Sequence, residues 1–190
     1  CGQGYFLENL MINKKTAFGI DLSAEQIKAC DERNLNAKVM DLADVQEKFD
    51  CATAIFDVLN YIPKEDLKTF LTQVNVVLNQ GAYFIFDVNS LFGFEEVAQG
   101  CITIDLEDKF IAIDANFEDN KLQTDITLFT KENGGLFSKE SDSIIQEYHT
   151  KEFLRKLLKE CNFEIQEIKK FNLHTDEHAD KLIFICKKIA

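Results

Sequence analysis

The chain has 190 residues, 46% of them apolar, with 17 phenylalanines and a formal net charge of −12. That length and composition fit one globular domain with a real core and exclude a disordered chain. The acidity disfavours a nucleic-acid backbone as the main partner, and no apolar run reaches the ~20 residues of a membrane span.

Cys1, Cys30, Cys51, Cys101, Cys161 and Cys186 are scattered, without the short spacings of a zinc site or a disulfide framework. They read as reduced thiols filling small apolar positions, and no signal peptide is visible, so the expected location is cytoplasmic. Lys151, Arg155, Lys156 and Lys159 recur at helical spacing and read as a solvated face.

In chain order, the first motif is the turn Cys1-Gly2-Gln3-Gly4. Residues 5–12 have helix-compatible apolar spacing, and residues 16–20 form a short buried strand ending at Asp21. Ser23 and Gln26 make a capping box for a helix that turns Ile27 and Cys30 inward. A second short strand over 37–40 ends in Asp41, which completes a strand–helix–strand unit with an acid at each strand end.

The run 51–56 is continuously apolar, as in a strand buried on both faces. Pro63, Glu65 and Asp66 suit a helix start. Leu67, Phe70, Leu71, Val74, Val77 and Leu78 form its apolar stripe, with Gly81 expected to close it. Residues 82–88 are the next buried strand.

After Asn89 the period becomes two. Residues 102–106, 110–117, 122–129 and 136–148 alternate, separated by turn signals at 118–121 and 132–135. They predict an antiparallel sheet inserted as one block. Thr150 caps a closing helix, and two last strands over 163–171 and 182–187, with no crossover helix between them, should pair antiparallel.

A glycine turn followed by an aspartate at a strand end is a nucleotide-site layout. The position where a dinucleotide fingerprint wants a third small residue is Leu7, a poor fit for a pyrophosphate. At this point a family resemblance becomes specific. Residues 1–89 resemble the cofactor half of a class I S-adenosylmethionine-dependent methyltransferase. Cys1-Gly2-Gln3-Gly4 matches the end of that family's first motif, D-x-G-C-G-x-G. Gly19-Ile20-Asp21-Leu22-Ser23 is similar to its second-strand motif, and Met40-Asp41-Leu42 to the acidic loop after strand three. The runs 56–62, 79–81 and 84–89, the β-rich insertion, and Cys161-Asn162-Phe163 after the closing helix resemble a bacterial subgroup.

The resemblance implies a Rossmann-like α/β fold. Its central sheet would be mostly parallel, with an antiparallel C-terminal strand pair and an inserted antiparallel lid. The divisions are a cofactor core over 1–89, a substrate lid over 90–149 and a completing helix and strand pair over 150–190. The family's first strand and the helix before it have no counterpart here. The chain is therefore expected to be part of a longer protein, with its sheet split where that strand belongs.

By the same resemblance, Cys1, Gly2 and Gly4 would face the methionine part of S-adenosylmethionine. Asp21 would take the ribose hydroxyls, Leu22 and Leu42 would flank the adenine, Asp41 would accept from its amino group, and Phe56 would lie against the cofactor. S-adenosylhomocysteine would be the product.

In-line methyl displacement draws mainly on proximity and orientation, so no obvious triad is required, and none is visible. Candidates for the substrate pocket are Asp57, Asn60, Tyr61, Asn89, Phe92 and Tyr148. His149 is the candidate general base, against the plainer reading of a partly exposed histidine at a helix start. His174 and His178 read as a solvated loop, and no metal is expected.

The expected activity is methyl transfer to a small-molecule acceptor by a monomer or homodimer. A nucleic-acid methyltransferase and a non-catalytic S-adenosylmethionine-binding protein are the alternatives.

Overall fold

The computed structural model describes residues 1–132, 134–174 and 178–189; Asn133, in one predicted turn, and Thr175, Asp176 and Glu177, in the histidine loop, lie outside the described residues. The elements follow in chain order: α1 (Tyr5–Ile12), β1 (Gly19–Asp21), α2 (Ala24–Asp31), β2 (Ala37–Val39), β3 (Phe49–Ala54), α3 (Leu67–Val76) and β4 (Leu78–Asn89). After them come β5 (Gly100–Asp105), β6 (Lys109–Glu118), β7 (Lys121–Lys131), β8 (Phe137–Glu147), α4 (Lys151–Glu160), β9 (Phe163–Phe171) and β10 (Lys181–Lys188). Short helical turns lie over Leu42–Asp44, Val58–Tyr61 and Gly93–Ala98.

The strands form three sheets. β1 and β2 pair in parallel by themselves, the order β3-β4-β10-β9 makes a second sheet, and β5-β6-β7-β8 is an antiparallel meander. Among the described residues, only β1–β2 and β3–β4 are parallel pairs. The expected mostly parallel central sheet is therefore corrected to a mixed arrangement. β10 inserts antiparallel between β4 and β9, which makes the larger central sheet predominantly antiparallel.

The main core lies where α3 and α4 pack side by side on that sheet. Leu67, Leu71, Leu154 and Leu158 meet Phe84, Phe86, Phe163 and Phe184, all fully buried. Phe86 and Phe184 are register partners and stack with centroids 4.9 Å apart. Fully burying side chains of this size stabilises by about 1.5–3 kcal/mol each. The unit around β1 and β2 is much thinner, with Leu7, Cys30 and Leu35 as its buried cluster and Ile27 also buried.

Two local expectations change. Gly81 does not close α3, which ends at Val76. Leu78 already pairs with Phe49, and the register shifts by the next pair, Cys51 with Tyr83, so Gly81 (φ 77°) serves a bulge inside β4. Pro63 lies in the turn before α3, whose Asp66 N–H donates to the Pro63 carbonyl, rather than in its first turn.

The inserted sheet has the four strands the period-two pattern predicts. The inner end of its apolar face buries Ala115 and Leu122 against Phe94, while Ile102, Ile104 and Ile144 on the same face are exposed.

Candidate functional site

A cavity of about 400 Å³ opens between β1 and β3. It is lined by the turn 1–4 and the start of α1, by β1, and by residues 53–56 with Val58. That volume lies within the usual range of small-ligand pockets. Its lining is mostly apolar, including Leu7, Leu10, Ala17 and Phe18, and the one charged side chain in it is that of Asp21.

The glycine turn is fixed by its own stereochemistry. Gly4 has φ 81°, and a Cβ there would stand 2.6 Å from Leu35 Cδ1 and 2.8 Å from Cys30 Sγ. Gly2 has φ 53°, but a Cβ there would meet nothing within 4 Å, so its open side is free for a ligand. Asp21 clamps this turn. Its Oδ2 accepts the Gly2 N–H at 2.7 Å and the Cys1 nitrogen at 2.9 Å, and its Oδ1 accepts the Ser23 N–H at 3.0 Å. Burial pushes the Asp21 carboxyl up, but the Ser23, Cys1 and Gly2 donors outweigh it and hold the group below the ordinary carboxylate value. A carboxylate has roughly four acceptor positions, and these bonds occupy three of those of Asp21.

The opposite wall is strained. Phe56 and Asp57 are consecutive left-handed residues, at φ 67° and 60°, a conformation that costs about 1–3 kcal/mol per non-glycine residue. Asp87, near the end of β4, holds it in place by accepting the Phe56 N–H at 2.8 Å and the Asp57 N–H at 3.3 Å. The turn leaves the Phe56 ring 68% exposed at the cavity wall.

Of the expected cofactor residues, Cys1, Gly2, Gly4, Asp21 and Phe56 line the cavity. Leu22, Asp41 and Leu42 do not. Leu22 is 72% exposed, Asp41 caps the turn Leu42–Asp44 through its own carboxylate at 2.8 Å from the Ala43 nitrogen, and Leu42 leans on the main core.

The expected substrate residues stand beside the cavity rather than in its wall. Asn60 is only 1% exposed; its amide donates to the Glu147 carbonyl at 2.8 Å and its oxygen accepts the Asn89 N–H at 3.0 Å. It is a tie between β4 and the inserted sheet and presents no free group to an acceptor. Asp57 and Asn89 converge on the ammonium of Lys181. Tyr61 is half exposed beside them, its hydroxyl pushed up by burial and by Asp57. Phe92 packs edge-on against His178, and Tyr148 edge-on against Phe94.

His149 is neither exposed nor at the cavity. It is 3% exposed, its Nε2–H donates to the Leu59 carbonyl at 3.0 Å, and its Nδ1 has no hydrogen-bond partner among the described residues. Burial pushes the ring pKa down. His149 does not border the cavity, and its Nε2–H ties the residue before Thr150 to the turn Val58–Tyr61.

Sequence reasoning missed Lys181 and the role of Asp87. The available signal was Asp87 itself, since a carboxylate within a buried strand requires a partner.

A methyltransferase-domain family matches residues 1–81. A crystal structure of an S-adenosylmethionine-dependent methyltransferase from Clostridium acetobutylicum is similar, with TM-score 0.82 and 24% identity, over 100% of this chain and 82% of that one. The S-adenosylmethionine-bound amino pentose methyltransferase CalS10 from Micromonospora echinaspora matches with TM-score 0.72 and 14% identity, over 99% of this chain and 80% of that one. The sugar N-methyltransferase KedS8 from a Streptoalloteichus species matches with TM-score 0.77 and 14% identity, over 100% and 78%. No curated protein sequence matches the chain. The glycine turn with an open side at Gly2, the remaining acceptor position of Asp21 and the cavity volume all fit the cofactor of this family. Residues 1–81 thus match a methyltransferase domain, and the chain as a whole shares the fold of S-adenosylmethionine-dependent methyltransferases.

Proposed function

We propose that the protein transfers the methyl group of S-adenosylmethionine to a small-molecule acceptor by in-line displacement. The observation that carries this reading is the pairing of two backbone devices in the lining of one cavity. On one side the Asp21 carboxylate fixes the glycine turn at Gly2, and on the other the Asp87 carboxylate fixes the left-handed wall at Phe56. The cofactor supplies an electrophilic methyl group on a sulfonium. Gly2 and Gly4 let backbone approach the ligand closely, Asp21 offers an acceptor to a ribose hydroxyl, and Phe56 presents an apolar face. Asp41, with Leu22 and Leu42, is proposed as the adenine side.

The acceptor side is the junction between the cofactor core (1–89) and the inserted sheet, proposed as the lid (90–149), with 150–190 completing the core. Asn60 and the Lys64 N–H both bond to Glu147 at the end of β8, which brings the sheet against the turn Val58–Tyr61. Tyr61, Phe92 and Tyr148 are the acceptor-facing candidates there. Rate would come from holding the acceptor in line, and no side chain of the chain is assigned as a base.

The small-molecule class is supported by the acceptors that CalS10 and KedS8 are named for, and by the net charge of −12. Release of S-adenosylhomocysteine is the test, with a panel of small amines, including amino sugars, alcohols, and a mixed oligonucleotide. Turnover with a small molecule is expected. Release with the oligonucleotide alone would favour a nucleic-acid methyltransferase, and cofactor binding with no release across the panel a non-catalytic binder.

A further inference from the structure

Lys181 begins β10, directly opposite Asn89 in the antiparallel register. Cross-strand partners project to one face, so its side chain rises from the face shared by Asn89 and Asp87, away from the phenylalanine core. There the ammonium bonds to Asp57, to Asp87 Oδ2 at 3.3 Å and to Asn89 Oδ1 at 3.1 Å. Lys181 and Asp87 are buried and Asp57 is nearly so. Two carboxylates thus share one cation, and one of them, Asp87, accepts the Phe56 and Asp57 N–H groups that fix the turn.

We infer that Lys181 is a positioning residue for the cofactor site: its ammonium holds the Asp57–Asp87 pair together, and through that pair the left-handed Phe56–Asp57 wall. This rests on the cavity being the S-adenosylmethionine site. The titratable groups that face one another here are Lys181 from β10, Asp87 from β4, Asp57 from the end of β3, and the Tyr61 hydroxyl, which feels both Asp57 and Lys181. Burial, and then Asp57, already push the Asp87 carboxyl up, while Lys181 pulls it down.

Without the ammonium, two neighbouring carboxylates in a dry site cannot both stay ionised and close. A shared proton is the one other thing that can hold them together. Removing Lys181 therefore exchanges a permanent cation for a titrating proton, and the wall becomes pH-dependent. At low pH the proton bridges Asp57 and Asp87 and the turn keeps its shape. At higher pH the pair repels and the turn splays.

The test is the affinity for S-adenosylhomocysteine, measured by calorimetry on the full chain. Wild type is expected to vary little across the range from about pH 6 to about pH 8.5. Lys181→Met, which keeps the length and removes the charge, is expected to weaken by about fivefold or more as pH rises through that range. Lys181→Arg is expected to restore a flat profile. In Lys181→Met with Asp57→Asn, which removes the like-charge pair, the profile should flatten again, and this second variant keeps the test open if the single one folds poorly. A Lys181→Met profile as flat as wild type at wild-type affinity overturns the inference, as does a double variant whose slope matches the single one. A wild-type chain that binds no S-adenosylhomocysteine overturns the cofactor reading of the cavity, and this inference with it.

Discussion

The Gly2 N–H and the Asp21 carboxylate lie 2.7 Å apart, across nineteen positions of sequence, and that bond joins the glycine turn to the end of β1. One carboxylate therefore shapes the turn and, in the proposed site, offers its remaining acceptor to a ligand. Hydrogen bonds to a charged group contribute about 1.5–3 kcal/mol each, and tenfold in affinity is about 1.4 kcal/mol. Asp21→Ala is expected to weaken S-adenosylmethionine binding by about tenfold or more. Calorimetry returning the wild-type dissociation constant would refute the role.

The two glycines should respond unequally. Gly4→Ala places a methyl group into Leu35 and Cys30 at a left-handed φ and is expected to destabilise by about 1–3 kcal/mol. For a chain of this size that lowers the melting temperature by about 2–4 °C per kcal/mol. Gly2→Ala has backbone strain but open space, so its melting temperature should fall less while cofactor affinity falls more. Equal melting shifts in the two variants would contradict the packing at Gly4.

Asn60 satisfies two backbone groups, the Glu147 carbonyl and the Asn89 N–H, with one buried amide. Asn60→Leu leaves both without that partner, at about 1–3 kcal/mol for each group left unsatisfied in a dry place. Hydrogen exchange should quicken at Asn89 in particular, because its N–H is the donor that loses an acceptor. Unchanged protection there, with an unchanged melting temperature, would mean that the tie carries nothing.

His149 makes stability depend on pH in a definite direction. Its native pKa is held down by burial, whereas in the unfolded chain the ring titrates near its ordinary ~6.5. Below that pH the unfolded state takes up a proton that the native state refuses. The contribution is complete above about pH 6.5 and is lost as pH falls toward the depressed native value. His149→Gln can still donate to Leu59 but cannot titrate. Its urea midpoint should therefore fall less than that of wild type between about pH 7.5 and about pH 5.5. Parallel falls in the two proteins would remove His149 from the account.

Much of the fold could be read in the chain because its patterns are local. The alternation over 102–148 gives the strands of the inserted sheet to within about two residues, while the helical stripe from Leu67 to Leu78 gives α3 but overruns its end at Val76. Gly81 misled because a glycine after an apolar stripe looks like a helix stop, while the pairing of Leu78 with Phe49 is set by a strand far away in sequence. The glycine turn was legible as a motif, and it lines the cavity. His149 was read as partly exposed because nothing nearby in sequence announces the Leu59 carbonyl, ninety positions back. Lys181 was invisible for the same reason: its carboxylates lie 94 and 124 positions away, and a lysine at a strand start looks like a surface residue until the register is known.

The thinness of the β1–β2 unit has a thermodynamic consequence. With Leu7, Ile27, Cys30 and Leu35 as its buried apolar residues, against the large phenylalanine core elsewhere, this unit should open locally at lower free energy than the rest of the chain. It also carries the glycine turn and Asp21. A ligand bound there stabilises only states in which its site is intact, so local opening of residues 19–39 and ligand release are linked equilibria. Saturating cofactor raises the opening free energy of that unit first, and amide exchange in β1 and β2 becomes a direct measure of occupancy.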